Sequence, residues 1–136
     1  PEEYEVAYRH VSGPPEEWFI SATFKLNPGK KETSLQVINE LLERRTNTQP
    51  TNEYNCGSVF RNPVGNFAAR LIESCGLKGF NIGGAMVSQK HANFIINDQG
   101  AATAADIEAL IHLVQTKVRE QTTIELMREV HIIGDL

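Results

Sequence analysis

An α+β architecture, a mixed sheet packed against about three helices, is what this sequence predicts. Three observations carry it. Residues 18–26 alternate with period two, residues 32–45 and 103–118 repeat apolar side chains at helical spacing, and a glycine-rich passage precedes short apolar runs at 85–88 and 93–97. At 136 residues, 40% hydrophobic and 22% charged, the chain has the size and composition of an ordinary globular unit.

The elements follow in chain order. Ile20, Ala22, Phe24 and Leu26 alternate with Ser21, Thr23 and Lys25, the pattern of a half-buried strand that Asn27-Pro28-Gly29 ends. Leu35, Ile38, Leu41 and Leu42 mark one face of a first helix over Glu32 to Arg45, with Thr33 or Ser34 able to cap it. Thr46 to Asn55 is a polar loop. Asn66 to Cys75 predicts a short helix with Ala68, Leu71, Ile72 and Cys75 inward and Gly76 as its stop. Strands are expected at Ala85 to Ser88 and Asn93 to Asn97. Thr103 and Asp106 have capping-box spacing, and Ile107, Leu110, Ile111, Val114 and Val118 form the apolar stripe of a third helix that should cover the sheet. Ile124 to Ile133 closes the chain as a strand or bent pair of strands.

Charge and composition narrow the function. A net charge of -4 leaves no basic footprint for nucleic acid, and no apolar run approaches the roughly 20 residues that span a bilayer. Cys56 and Cys75 lack metal-ligand pairing, and His10, His91, His112 and His131 are scattered singly, so no metal site is expected. The opening Pro1-Glu2-Glu3-Tyr4-Glu5 does not read as a secretory signal, so a cytoplasmic setting without an obligate protein partner fits best. A first residue other than methionine suggests a piece of a longer protein.

Chemistry concentrates around Cys56-Gly57-Ser58-Val59-Phe60-Arg61-Asn62-Pro63. There a glycine allows close backbone approach, a serine offers a hydroxyl, and an Arg-Asn pair supplies donors for an anionic or carbonyl-rich ligand. The glycines of a nucleophile elbow are missing, and those from Gly76 to Gly84 form neither a dinucleotide fingerprint nor a P-loop. Arg9, Ser58 and Glu129 stand out as polar groups in settings that packing explains poorly. Each also has a plain reading: a solvated strand-edge charge, a turn hydroxyl and the outward face of an alternating strand.

Several segments together change the balance. Tyr8-Arg9, Thr48-Gln49-Pro50, the run from Cys56 to Pro63, Leu71-Ile72-Glu73 with Gly76-Leu77-Lys78-Gly79, Gly83-Gly84-Ala85-Met86-Val87-Ser88 with Lys90-His91-Ala92-Asn93-Phe94-Ile95, and Glu129-Val130-His131-Ile132-Ile133-Gly134 closely resemble UDP-N-acetylenolpyruvoylglucosamine reductase, in the family's order and spacing. The resemblance implies a flavoenzyme of peptidoglycan precursor synthesis that uses FAD and NADPH to reduce the enolpyruvyl ether of a UDP-sugar substrate to UDP-N-acetylmuramate. It implies that residues 1–27 end an FAD-binding domain and residues 28–136 form the substrate-binding domain, of the family's second type. It assigns catalytic roles to Arg9, Ser58 and Glu129, and substrate contacts to Asn62, Tyr8, Arg45 and Arg61. Arg45, Arg61, Lys90 and His131 match more loosely. Taken alone, the chain would be a nucleotide-sugar binding module without activity.

Overall fold

A computed structural model describes residues 3–134, so the outermost residues of both expected segments, 1–2 and 135–136, lie outside the described residues. The chain divides into two compact units, residues 1–37 and 38–136.

In the first unit, β1 (Glu5–Ala7) and β2 (His10–Ser12) form an antiparallel hairpin in which Val6 faces Val11. Tyr8 and Arg9 make its turn, and Arg9 takes a left-handed φ of 55°. The Tyr4 hydroxyl donates to Glu17 Oε2 at 2.8 Å, and that carboxylate holds the phenol above its ordinary range. The strand expected at residues 18–26 does not form, and Trp18, Ile20, Phe24 and Leu26 are exposed. Alternation supplies a strand's two faces, but a strand exists only through a neighbour that pairs with its N–H and C=O groups, and among the described residues none does.

Helix α1 (Lys31–Thr48) spans the boundary between the units and buries none of its residues. Its apolar face is where periodicity put it, but Leu41 is 59% exposed. The expectation that this helix packs on the sheet is corrected accordingly, since helical spacing specifies a face without specifying a cover.

The second unit is built on a four-stranded sheet of order β3 (Tyr54–Asn55), β6 (Ile95–Asn97), β5 (Ala85–Val87), β4 (Asn81–Ile82). With three α-helices and two sheets among the described residues the fold is α+β, and where the sequence suggested a mixed sheet every pairing among them is antiparallel. Gly83 and Gly84 turn β4 into β5, and a Cβ on Gly84 would collide with the Ala101 backbone at 2.3 Å. α2 (Ala68–Ser74) buries Ala68, Leu71 and Ile72, and Gly76 follows it with the positive φ of 70° that favours glycine. α3 (Ala104–Thr122) has both arms of its capping box: Asp106 N–H donates to Thr103 Oγ1, and Thr103 N–H to the Asp106 carboxylate. Hydrogen bonding to the carboxylate from the Thr103 N–H, and then from the Thr103 side chain, draws the Asp106 carboxyl below its ordinary range. Leu110, Ile111, Val114 and Val118 of α3 meet α2 and the sheet in one core with Val59, Phe60, Val87, Ile95 and Leu126.

The closing segment forms no named strand; it makes one bridge, Phe60 to Arg128. Continuing that ladder past Arg61 would need an N–H from Pro63, which has none, and at the other end Gly57 turns the chain with a φ of 86°.

Candidate functional site

The site grows from a three-residue strip, Val59-Phe60-Arg61, held along both edges. On one edge, Glu129 N–H donates to the Val59 carbonyl at 2.8 Å and Arg61 N–H donates to the Met127 carbonyl at 2.9 Å. On the other edge there is no strand but a single residue, Asn93. Its carbonyl accepts Val59 N–H at 2.9 Å, its Oδ1 accepts Phe60 N–H at 3.0 Å, and its Nδ2 donates to the Phe60 carbonyl at 2.9 Å. Val59 and Phe60 are 1% and 2% exposed, so this small ladder sits in the core. Ser58, half-buried, leaves the strip at its first end, and Glu129 lies across from the next residue, Val59.

Arg61 and Glu129 meet as an ion pair, Nε to Oε2 at 2.9 Å. Both atoms are shielded from water, yet the Nε–H is not aimed for a hydrogen bond, so the attraction rests on charge and proximity. The two side chains retain 41% and 25% of their exposure, leaving the pair open to a ligand.

In front of Ser58 lies a cavity of about 860 Å³, bounded by the last turns of α1, the loop from Gln49 to Gly57, and Phe94. One carboxamide shapes that loop. Asn55 Nδ2 donates to the Pro50 and Glu53 carbonyls at 2.8 and 2.7 Å, while its Oδ1 accepts Gly57 N–H at 2.9 Å. Lys90 fixes the opposite wall: its Nζ donates to the Thr46 carbonyl at 3.0 Å near the end of α1, where a cation suits both the unsatisfied carbonyls and the helix dipole. The His91 imidazole, lowered from its ordinary pKa chiefly by burial, accepts Asn93 N–H on Nδ1 at 3.2 Å and packs edge-on against Phe94.

Of the residues singled out from sequence, the fold gathers Ser58, Arg61 and Glu129 on or across the strip, and Arg45 lines the cavity. Asn62 Oδ1 accepts Ala68 N–H at 3.0 Å and so caps α2, a local duty beside any contact with ligand. His131 is exposed. Tyr8 and Arg9 belong to the first unit, where the Arg9 guanidinium lies 5.9 Å from the Tyr8 ring centroid. Among the described residues no group of histidine, cysteine and acidic side chains is arranged to hold a metal ion, and no helix is long and apolar enough to cross a membrane.

Sequence reasoning missed Asn55 and Asn93. The signal for Asn93 was present: a carboxamide inside Ala92-Asn93-Phe94-Ile95-Ile96 is a polar group in a buried run, and such groups are hydrogen-bonded.

The profile of the UDP-N-acetylenolpyruvoylglucosamine reductase C-terminal domain matches residues 49–133, a stretch that contains the whole strip, the cavity loop and Glu129. The chain belongs to the UDP-N-acetylenolpyruvoylglucosamine reductase family. A reductase of that name from Legionella pneumophila strain Corby is 79% identical over 135 residues, and one from Methylococcus capsulatus is 56% identical over 135. In both cases the alignment covers 99% of this chain but only 44% of the relative, so the chain spans less than half the length of these reductases. The crystal structure of the reductase from Thermus caldophilus matches with a TM-score of 0.60 at 37% identity, covering 77% of this chain and 37% of that one. The reductase fold therefore extends to the described architecture as well as to the sequence.

Proposed function

We propose that this chain is the substrate-binding part of a reductase that converts a UDP-N-acetylglucosamine enolpyruvyl ether to UDP-N-acetylmuramate, with residues 28–136 as the substrate-binding domain and residues 1–27 as the end of a flavin-binding one. The observation that carries this reading is the shared strip: one short backbone run follows Ser58, which lines a large polar cavity, and ends on Arg61, which pairs with Glu129. A cavity of about 860 Å³ falls within the range of pockets that enclose whole small molecules, and its amide, hydroxyl and cationic lining suits a sugar nucleotide. FAD, and NADPH as its reductant, belong in this proposal to the longer part of the full-length protein, where the flavin supplies hydride.

The residues here have their own work. Hydride added to the alkene carbon beta to the substrate carboxylate leaves negative charge on the neighbouring carbon, spread into the carboxylate as an enolate. Arg9, and Arg61 as oriented by Glu129, are the cations that balance this charge; charge-assisted contacts to a carboxylate are the strongest hydrogen bonds a side chain offers. The Ser58 hydroxyl then gives its proton to the carbanionic carbon, a transfer that depends on placement more than on acidity. Tyr8, Arg45 and Asn62 are assigned to substrate binding, in a cytoplasmic enzyme. Ser58→Ala in the full-length protein should reduce turnover about 10³-fold while substrate affinity changes less than about threefold; undiminished turnover rules the role out.

A second reading has support of its own. The cavity is lined wholly by residues 42–94 of the second unit, so the chain alone should bind nucleotide sugar without turning it over. Calorimetric titration with the enolpyruvyl substrate, with UDP as control, tests this; heats no larger than those of dilution defeat it.

A further inference from the structure

We propose that Asn93 is a positioning residue for the Ser58 hydroxyl and the Glu129 carboxylate, its side chain standing in for the missing edge strand. The proposal rests on the reductase reading above. A peptide group in a neighbouring strand would offer Phe60 one acceptor and one donor, and the Asn93 carboxamide offers both at 3.0 and 2.9 Å while its own carbonyl takes Val59 N–H. At 4% exposure this carboxamide is out of water, so a side chain that filled only one of its two roles would leave a buried polar backbone group unmatched. No other side chain in its usual ionisation state at neutral pH has the geometry. Ser or Thr is too short to reach both groups, Gln adds a methylene to a packed core, and an ionised Asp sets negative oxygen against the Phe60 carbonyl.

The placement gives the anchor its leverage. Val59 donates its N–H to Asn93 and accepts from Glu129 through its carbonyl, and Ser58 is its immediate neighbour in the chain. Displacing the strip therefore moves the proton donor and the carboxylate that pairs Arg61 together. Reaction geometry tolerates little of this, because a shift on the order of 1 Å in a reacting group lowers rates by about 10²-fold. Most of the cavity wall has other supports: Asn55 holds the loop and Lys90 holds the α1 end, while Ser58 and Phe94 line it from the Asn93 side. Binding and turnover should consequently separate.

The test uses the full-length enzyme carrying Asn93→Ala, Ser58→Ala and both. Asn93→Ala is expected to lower kcat about 10²-fold with KM changed less than about threefold, and to add little to Ser58→Ala, because it acts through that hydroxyl. Amide exchange at Val59 and Phe60 should accelerate while that at Leu110 does not. Undiminished kcat, or losses that simply multiply in the double variant, would overturn the proposal. If Asn93→Ala does not fold, Asn93→Asp decides: its protonated carboxyl regains a donor and an acceptor, so its kcat relative to wild type should climb between about pH 8 and about pH 5. A flat ratio refutes the role. Should Ser58→Ala itself retain turnover, the functional reading fails, and exchange at Phe60 still reports whether Asn93 holds the strip.

Discussion

The two segments that carry the proposed catalytic side chains are held in opposite ways. The strip beside Ser58 is inside the core, hydrogen-bonded along both edges and packed under α3. The hairpin that carries Arg9 has no buried residue in either strand, and Val6 and Val11 are 76% and 58% exposed. An isolated two-stranded hairpin is marginal in water, so the first unit gives its arginine little of its own to hold it in place. The difference teaches that serine and glutamate geometry is a product of folding in the second unit, whereas the geometry of Arg9 is not secured by a core in the first.

The strongest test of that contrast is a pair of truncations followed by urea unfolding. Phe60→Ala should destabilise by about 3–5 kcal/mol through the void it leaves, and Val11→Ala by less than about 0.5 kcal/mol. Similar losses would mean that the hairpin is as well packed as the strip. Next in size, Asn55→Ala removes the carboxamide that ties Pro50, Glu53 and Gly57 together, and should loosen the cavity loop by about 1 kcal/mol and weaken nucleotide-sugar binding. Retained affinity would show that the loop takes its shape from elsewhere.

The smallest effect is one of pH. Burial lowers the His91 pKa in the fold below its ordinary 6.5, so between the two values the unfolded chain binds more protons. The stabilisation is fully present above about 6.5 and is lost as pH falls through the folded value, when protonation removes the Nδ1 acceptor used by Asn93. The urea midpoint of the second unit should fall across that window. In His91→Gln this part of the slope should vanish, and an unchanged slope would assign it to other groups.

Local signals in the sequence were read correctly because their causes are local. The capping box at Thr103 and Asp106, the stripe from Leu110 to Val118, and the stop at Gly76 each concern residues within a few positions of one another. What failed was long-range. The alternation at 18–26 could not reveal that it lacks a pairing neighbour among the described residues, and the face of α1 could not reveal that it stays uncovered. The site was legible in part: Ser58, Arg61 and Glu129 were singled out, but the Arg61–Glu129 pairing joins residues far apart in the chain, and only the fold brings them together. Asn93 was hidden for a related reason, since its partners lie 33 positions away.

The closed edges of the strip also govern what kind of molecule can be recognised there. Both polar groups of Val59 and of Phe60, and the N–H of Arg61, already have partners inside the protein. An extended peptide laid along this segment would find no row of amides to register against, so the familiar route by which proteins capture strands is shut. Inhibitors imitating a peptide backbone have no handhold at these residues. Compounds that address the hydroxyl of Ser58 and the charged pair beyond it have the better starting point.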